Sequence, residues 1–233
     1  MPVIEVRDVS HSYATGAAER RVLADVAVTL PERRVGVIGA NGSGKSTFAR
    51  LLNGLVVPTS GRVVVDGFDT RSHGKEVRRR VGFCFTDPDA QIVMPTVAED
   101  IAFGLRRRGL SRADVAARVA AALSAYGLDG HADHPAHLLS GGQKQLLALA
   151  SVLVTEPSVL VMDEPTTLLD LRNASMIASV VAELPQQVVL VTHHLDLVAE
   201  FDRVLVFDEG RVVCDDVPAL AVAHYRSLMG ATS

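Results

Sequence analysis

A glycine-rich segment, Gly39-Ala-Asn-Gly-Ser-Gly-Lys-Ser46, follows a short apolar run and precedes a helical pattern. Glycines let successive backbone N–H groups curl around an anion, and a helix N-terminus also favours negative charge. The spacing matches a phosphate-binding loop, in which Lys45 reaches the β- and γ-phosphates and the Ser46 hydroxyl ligates Mg²⁺. The expected nucleotide contacts are Gly39, Asn41, Gly42, Ser43, Gly44, Lys45, Ser46 and Thr47. An ordinary glycine-rich turn is the alternative, and the motif does not indicate what the nucleotide drives.

Two adjacent carboxylates, Asp163 and Glu164, end a second apolar run at residues 159–162. Ligands of parallel sheets bind at the carboxyl ends of the strands. We therefore expect Asp163 to hold Mg²⁺, usually through water, and Glu164 to polarise the attacking water as general base. A solvated acidic turn is the alternative when this pair is considered without the phosphate-binding loop.

A third motif is Leu139-Ser-Gly-Gly-Gln143, in which Ser140 precedes a glycine pair that opens a helix. This arrangement forms another anion site. One ATP needs only one phosphate-binding loop. A second motif that binds phosphate therefore indicates two subunits that face each other. At these residues the chain resembles the ATPases of ABC transporters, whose signature is this string. The resemblance implies a head-to-tail dimer in which Ser140, Gly141 and Gly142 of one subunit contact the γ-phosphate held by the other.

Three further positions resemble family motifs, and their order along the chain agrees with the family over nearly its whole length. The resemblance implies that Tyr13 stacks on adenine and that residues 168–170 contact the partner subunit. It also implies that His193 hydrogen-bonds the γ-phosphate and helps to position the water. The adjacent His194 is a rival for this role, but the family pattern places the histidine directly after Thr192.

One position departs from the pattern of the family. After the predicted strand 81–85 the family normally has a glutamine that contacts Mg²⁺ and senses the transmembrane partner, whereas Thr86 stands here. The threonine hydroxyl could reach the metal through water, so Thr86 is a candidate metal contact. Gln91 lies beyond Pro88 and is not expected to replace the glutamine directly.

The run Phe85-Thr-Asp-Pro-Asp-Ala-Gln-Ile-Val and the segment Asn53-Gly-Leu resemble the energy-coupling-factor branch of the family. The resemblance implies an importer of a vitamin or a transition-metal ion. Its partners would be a transmembrane coupling protein and a small substrate-binding membrane protein, reached from the cytoplasmic face of the plasma membrane. Overall likeness favours biotin or a similar vitamin over cobalt. A homodimer is expected because one chain carries every motif, and a heterodimer is the alternative.

Composition narrows the class of protein. The chain has 233 residues and a formal net charge of −4, which does not favour nucleic acid as a partner. No apolar stretch approaches the roughly 18 to 20 residues that a membrane helix needs. The two cysteines, Cys84 and Cys214, lie far apart, and we expect both to be buried hydrophobes in strands. The rival functions are a conventional ABC importer or exporter, a nucleotide-gated clamp on ribosomes or DNA, and a small-molecule kinase.

The elements that must position these motifs alternate between strands and helices. Strands are predicted at residues 3–6, 22–30, 35–38, 63–65, 81–85, 159–162, 188–191, 204–207 and 211–214. Helices are predicted at residues 45–52, 97–105, 112–126, 142–153, 173–184, 194–201 and 219–229.

This order predicts an α/β fold with a mostly parallel sheet and an inserted helical lobe. The family resemblance implies a P-loop NTPase core with an N-terminal antiparallel β-subdomain. We expect one ATPase domain at residues 1–233. Residues 1–86 and 158–233 are its predicted core, and residues 87–157 are the predicted helical lobe with the signature.

Overall fold

A computed structural model describes residues 2–16, 18–106 and 108–230 of the chain. The chain divides into two compact units, each discontinuous in sequence. The first unit comprises Met1–Val81, Ser158–Glu164 and Pro185–Ser233, and the second comprises Gly82–Pro157 and Pro165–Leu184. The predicted division into a core and an inserted lobe stays a prediction of domain organisation.

The described residues form strands and helices that are numbered here in chain order. The strands are β1 Ile4–Thr15, β2 Ala18–Leu30, β3 Arg34–Gly39, β4 Ser60–Val65, β5 Phe68–Asp69, β6 Val81–Cys84, β7 Val159–Asp163, β8 Gln187–Val191, β9 Arg203–Asp208 and β10 Arg211–Asp216. The helices are α1 Lys45–Asn53, α2 Gly74–Arg80, α3 Val97–Phe103, α4 Arg112–Ala125, α5 Gly141–Leu153, α6 Leu171–Glu183 and α7 Pro218–Gly230.

An antiparallel sheet in the first unit has the strand order β2-β1-β4-β5. The strands β1 and β2 are both longer than the sequence predicts. Their pairing contains register shifts, and Asp8 and Asp25 have φ angles of 48° and 53°. Such bulges interrupt the alternation of apolar and polar residues, so the pattern shows only part of each strand.

The second sheet of this unit positions the phosphate-binding loop. Within the unit its strand order is β10-β9-β3-β8-β7, with β9, β3, β8 and β7 parallel and β10 antiparallel at the edge. The strands β3, β7 and β8 are buried along their whole length, which accounts for their unbroken apolar sequences. Because they run in one direction, Gly39, Asp163 and Val191 end the three strands at the same edge of the sheet. The predicted mixed α/β fold is confirmed.

The second unit is mainly helical, and its helices begin at side-chain caps. Reciprocal capping boxes link Thr96 with Glu99 at α3, Ser111 with Asp114 at α4, and Ser140 with Gln143 at α5. Each box satisfies backbone N–H groups that a helix start would otherwise leave without partners. None of the helices in the described part of the chain has the length and apolarity that spanning a bilayer requires.

Two local predictions are wrong. The segment 194–201 holds a single 3₁₀ turn, Leu195–Val198, in place of a helix. Asp202 then exchanges hydrogen bonds with the backbone of Arg34, which starts β9 beside β3 and leaves no room for further helical turns. Cys84 is buried as predicted, whereas Cys214 is only half-buried because it lies on the edge strand β10.

Candidate active site

The ammonium group of Lys45 lies over the phosphate-binding loop at the start of α1. Its Nζ donates hydrogen bonds to the carbonyl oxygens of Gly39 and Ala40, at 2.8 and 2.9 Å. The residue is 5% exposed, and this burial lowers the pKa of Lys45, while the nearby carboxylates of Glu164 and Asp163 oppose the shift. The sequence-predicted lysine is therefore a buried cation at the N-terminus of a helix.

Glycine is required at two positions of the loop for different structural reasons. Gly39 has a φ of 149°, and a Cβ there would lie 2.1 Å from the carbonyl oxygen of Phe207. Gly42 has a φ of 81°, but a Cβ there would meet nothing within 4 Å. Gly39 is thus required by packing. Gly42 is required by backbone conformation and leaves open the space above the loop.

The hydroxyl of Ser46 and the carboxylate of Asp163 lie together, 117 residues apart in sequence. Ser46 Oγ donates to Asp163 Oδ1 at 2.8 Å, and Arg50 lies 3.9 Å from the other carboxylate oxygen. Burial raises the pKa of Asp163, while the hydrogen bond from Ser46 opposes the shift. Two adjacent oxygen donors of this kind fit Mg²⁺, which prefers hard oxygen ligands and a carboxylate.

Glu164 and His193 form the second polar pair of the site. His193 Nδ1 lies 2.8 Å from Glu164 Oε2, and the backbone N–H of His193 donates to the same oxygen at 3.4 Å. Glu164 has a φ of 54°, a left-handed conformation that costs energy for a residue with a side chain. The ring of the rival His194 packs against that of His193, with the centroids 4.2 Å apart and the planes tilted by 38°. The structure thus joins His193 to the predicted general base.

Tyr13 lies on β1, and its hydroxyl is 3.4 Å from Oγ1 of Thr47 in α1. Tyr13 is 36% exposed, and its ring is nearly perpendicular to that of the neighbouring His11, with the ring centroids 4.6 Å apart. The predicted adenine contact and the predicted phosphate contacts are therefore on one side of the first unit.

A cleft of about 540 Å³ lies over the loop and includes residues that the sequence did not predict. Its lining residues are Arg20, Arg21, Val22, Asn41, Gly42, Gly44, Lys45, Ser46, Thr47, Glu164, Glu209 and Gly210. Arg21 is held by Ser10 and Asp25, whereas Arg20 is exposed and forms no ion pair among the described residues. Arg20 is the cross-strand partner of Tyr13, so only knowledge of the register of β1 and β2 could have indicated it.

The signature residues cap α5 in the second unit. Ser140 Oγ accepts from the backbone N–H of Gln143 at 3.3 Å, and Gln143 Oε1 accepts from the N–H of Ser140 at 2.9 Å. Ser140 and Gly141 are exposed, so the helix N-terminus is accessible. Asp170, which also belongs to this unit, caps α6 by accepting from the N–H of Asn173 at 2.8 Å.

Thr86 follows β6 in the second unit and is half-buried. Gln91 does not have a free side chain, because it accepts from the N–H of Phe85 at 3.1 Å and donates to the carbonyl of Ala148 at 2.9 Å. Gln91 therefore has a structural role within its unit. The metal contact of Thr86 stays a prediction.

The sequence model of the ABC transporter family matches residues 23–167, which include the phosphate-binding loop, the signature and both carboxylates. The chain belongs to the ABC transporter family. Proteins of this family bind ATP with Mg²⁺ and hydrolyse it, and the predicted phosphate and metal contacts Lys45 and Ser46 line the cleft of the first unit.

Relatives of this ABC protein refine the subgroup. It is 50% identical to the biotin transport ATP-binding protein BioM of Rhizobium etli, over 90% of this chain and 93% of the relative. It is 46% identical to the energy-coupling factor transporter ATP-binding protein EcfA1 of Symbiobacterium thermophilum, over 91% of this chain and 78% of the relative. The structure of cbiO1 from Clostridium perfringens, part of the ABC transporter complex cbiONQ, superposes with a TM-score of 0.82 at 33% identity, over 97% and 93%. The ABC protein is an ATP-hydrolysing subunit of the energy-coupling-factor type.

Proposed function

We propose that this ABC protein energises the import of biotin or a chemically similar vitamin. The observation that carries the proposal is its 50% identity, over nine-tenths of its length, to a biotin transport ATP-binding protein. A transition-metal ion is the second candidate solute, because the chain is also 42% identical to the cobalt import ATP-binding protein CbiO of Syntrophus aciditrophicus, over 95% of this chain and 81% of the relative. The residues of an ATPase do not touch the solute, so the choice between these cargoes depends on the membrane partners.

The proposed assembly contains two copies of the chain, a transmembrane coupling protein and a small substrate-binding membrane protein. Every motif of one complete ATP site is present in a single chain, which favours a homodimer. In this dimer Ser140, Gly141 and Gly142 of one subunit contact the γ-phosphate bound by the loop of the other, with Gln143 supporting them. The dimer would act at the cytoplasmic face of the plasma membrane.

The contacts of the site support the roles that we propose for its residues. Lys45 holds the terminal phosphates, and Tyr13 stacks on the adenine. Ser46 and Asp163 hold Mg²⁺, which when bound supplies charge neutralisation of the phosphates, and their 2.8 Å contact supports the assignment.

Hydrolysis is assigned to the pair next to the loop. Glu164 takes the proton of the attacking water, and general bases of this kind accelerate reactions about 10²–10⁴-fold. His193 orients the carboxylate through the 2.8 Å contact and presents its ring to the γ-phosphate.

Purification of the tagged chain from detergent-solubilised membranes of its source cells tests the proposed transport function. We expect a polytopic coupling protein and a small membrane protein to co-purify, and the latter to bind biotin. A small membrane protein that binds cobalt or nickel and not biotin would support the second cargo. Two similar permeases, or a ribosomal or DNA-bound complex, would contradict the proposal.

A further inference from the structure

Both the oxygen and the nitrogen of the side-chain amide of Gln143, the glutamine of the signature, form hydrogen bonds. Gln143 Oε1 accepts the backbone N–H of Ser140 at 2.9 Å and so closes the capping box of α5. Its Nε2 lies 3.1 Å from Nε2 of His131. Because the oxygen faces an N–H group, the amide orientation is fixed and its nitrogen donates to the histidine.

The direction of this hydrogen bond determines the form of His131. A ring nitrogen that accepts carries no proton, so the N–H of this ring is at Nδ1. That Nδ1 atom is buried and has no hydrogen-bond partner among the described residues. A buried N–H without a partner costs free energy. The hydrogen bond from Gln143 Nε2 is thus the contact that satisfies a polar atom of this ring among the described residues.

Other groups near the cap do not compete for this amide. The ring of His134 packs edge-on against His131 at 5.6 Å. Lys144, the next residue along α5, is held by Asp89 at 2.8 and 3.0 Å. Among the described residues, His131 is thus the side chain that holds Nε2 of Gln143.

We infer that His131 is a positioning residue for the signature motif. By accepting from Gln143 Nε2 it holds the amide across Ser140 and keeps the N-terminus of α5 in one conformation. The inference rests on the proposed role of Ser140 to Gln143 as contacts to the partner's γ-phosphate. The predicted consequence is a loss of turnover without loss of nucleotide binding at the phosphate-binding loop.

Substitutions that differ only in hydrogen-bonding capacity test the inference. His131→Leu removes the acceptor, His131→Lys replaces it with a donor, and His131→Gln offers an acceptor oxygen. We expect the first two to lower kcat of MgATP hydrolysis about threefold to tenfold, the range of one hydrogen bond. His131→Gln should retain kcat within about twofold of the unmodified protein. The Kd of the monomer for MgATP should not change in any of them.

A matched control separates packing from hydrogen bonding. His134→Leu removes a ring that packs against His131 without contacting the amide, and kcat should change by less than about twofold. If His131→Leu does not fold, the inference is tested by comparing kcat of His131→Gln with kcat of His131→Lys. Equal kcat values for these two variants would overturn the inference.

Combination with Gln143→Ala shows whether His131 acts through the glutamine. In that background His131→Leu should have no additional effect on kcat, because a double-mutant cycle reports coupling only between interacting groups. If His131→Leu lowered kcat in that background as much as it does in the unmodified protein, this inference would be overturned. The proposed role of the signature would not be affected. Wild-type turnover in both Gln143→Ala and Ser140→Ala would instead overturn the proposed role of the signature, and this inference with it.

Discussion

At the scale of single residues, the site contains charged groups that burial disfavours. Asp163 is 2% exposed, and its pKa is raised by burial despite hydrogen bonding to Ser46. A buried carboxylate of this kind costs free energy in the folded protein. In the proposed site the same carboxylate would hold Mg²⁺. We therefore expect the Asp163 carboxylate to lower the free energy of unfolding of the nucleotide-free protein.

Asp163→Asn should consequently raise the free energy of unfolding without nucleotide at neutral pH, with a Tm increase of roughly 2–4 °C for about 1 kcal/mol. A carboxyl whose folded pKa is raised contributes stability below its unfolded pKa and loses it as pH rises through the folded pKa. The difference in the free energy of unfolding between the variant and the unmodified protein should therefore shrink as pH falls toward 3.8, the ordinary pKa of an aspartate. Calorimetry across pH measures this, and MgATP should raise the Tm of the variant less than that of the unmodified protein. An unchanged or lowered Tm at neutral pH would show that the contacts with Ser46 and Arg50 outweigh burial.

Arg20 is a second residue whose role can be tested. It is an exposed cation that lines the cleft and is the cross-strand partner of Tyr13, and it forms no ion pair among the described residues. Arg20→Ala should raise Kd for MgATP about twofold to fivefold, as loss of an exposed charge contact allows. The difference should shrink at high salt, because screening weakens exposed charges.

Titration calorimetry at two salt concentrations measures the effect of Arg20. The control is Arg62→Ala, which removes an exposed arginine of β4 that does not line the cleft. Equal affinities of the two variants would show that Arg20 does not contact the nucleotide.

At the scale of elements, the turn between β3 and α1 requires two glycines for different reasons. Gly39→Ala would place a Cβ 2.1 Å from the backbone oxygen of Phe207 and should destabilise the protein by more than about 3 kcal/mol. Gly42→Ala meets no atom within 4 Å and should cost only about 1–2 kcal/mol for its left-handed backbone. Denaturant unfolding gives both values. A smaller loss for Gly39→Ala than for Gly42→Ala would contradict this description of the turn.

The sequence predicts residues better when their roles depend on local spacing than when they depend on distant pairing. Lys45 and Ser46 follow from the spacing of the loop, and Asp163 from the end of a buried strand. Arg20 and Glu209 line the same cleft, but their positions depend on the register of β1 with β2 and on the contact of Gly210 with Ser43. No short pattern contains that information.

The same distinction applies to whole elements. The helices that begin at Ser111 and Ser140 have strong capping residues, and their predicted bounds are nearly correct. The helix predicted at 194–201 is wrong because the pairing of β9 with β3 limits the length of the preceding segment. The bulged strands β1 and β2 were predicted too short because their irregular pairing interrupts the apolar alternation.

At the scale of the whole molecule, one chain contains two separate features that are proposed to bind phosphate. The loop and its carboxylates belong to the first unit, and the signature cap belongs to the second. The exposed apolar side chains of Leu168 and Leu171, 64% and 88% exposed, lie beside Asp170 in the second unit. Large exposed apolar groups often mark interaction sites. These observations support the proposal that two chains associate and that the signature of one completes the site of the other.

The most direct test is the mass of the Glu164→Gln variant in solution with and without MgATP, measured by light scattering during size exclusion. The substitution removes the proposed general base and should lower kcat by about 10²-fold or more, so that bound ATP persists. Lys45→Ala is the matched control, because it should abolish ATP binding and remain a monomer. We predict a dimer for Glu164→Gln only with MgATP. A monomer that has bound MgATP at saturating concentration would contradict the proposed mechanism, in which two subunits enclose the nucleotide.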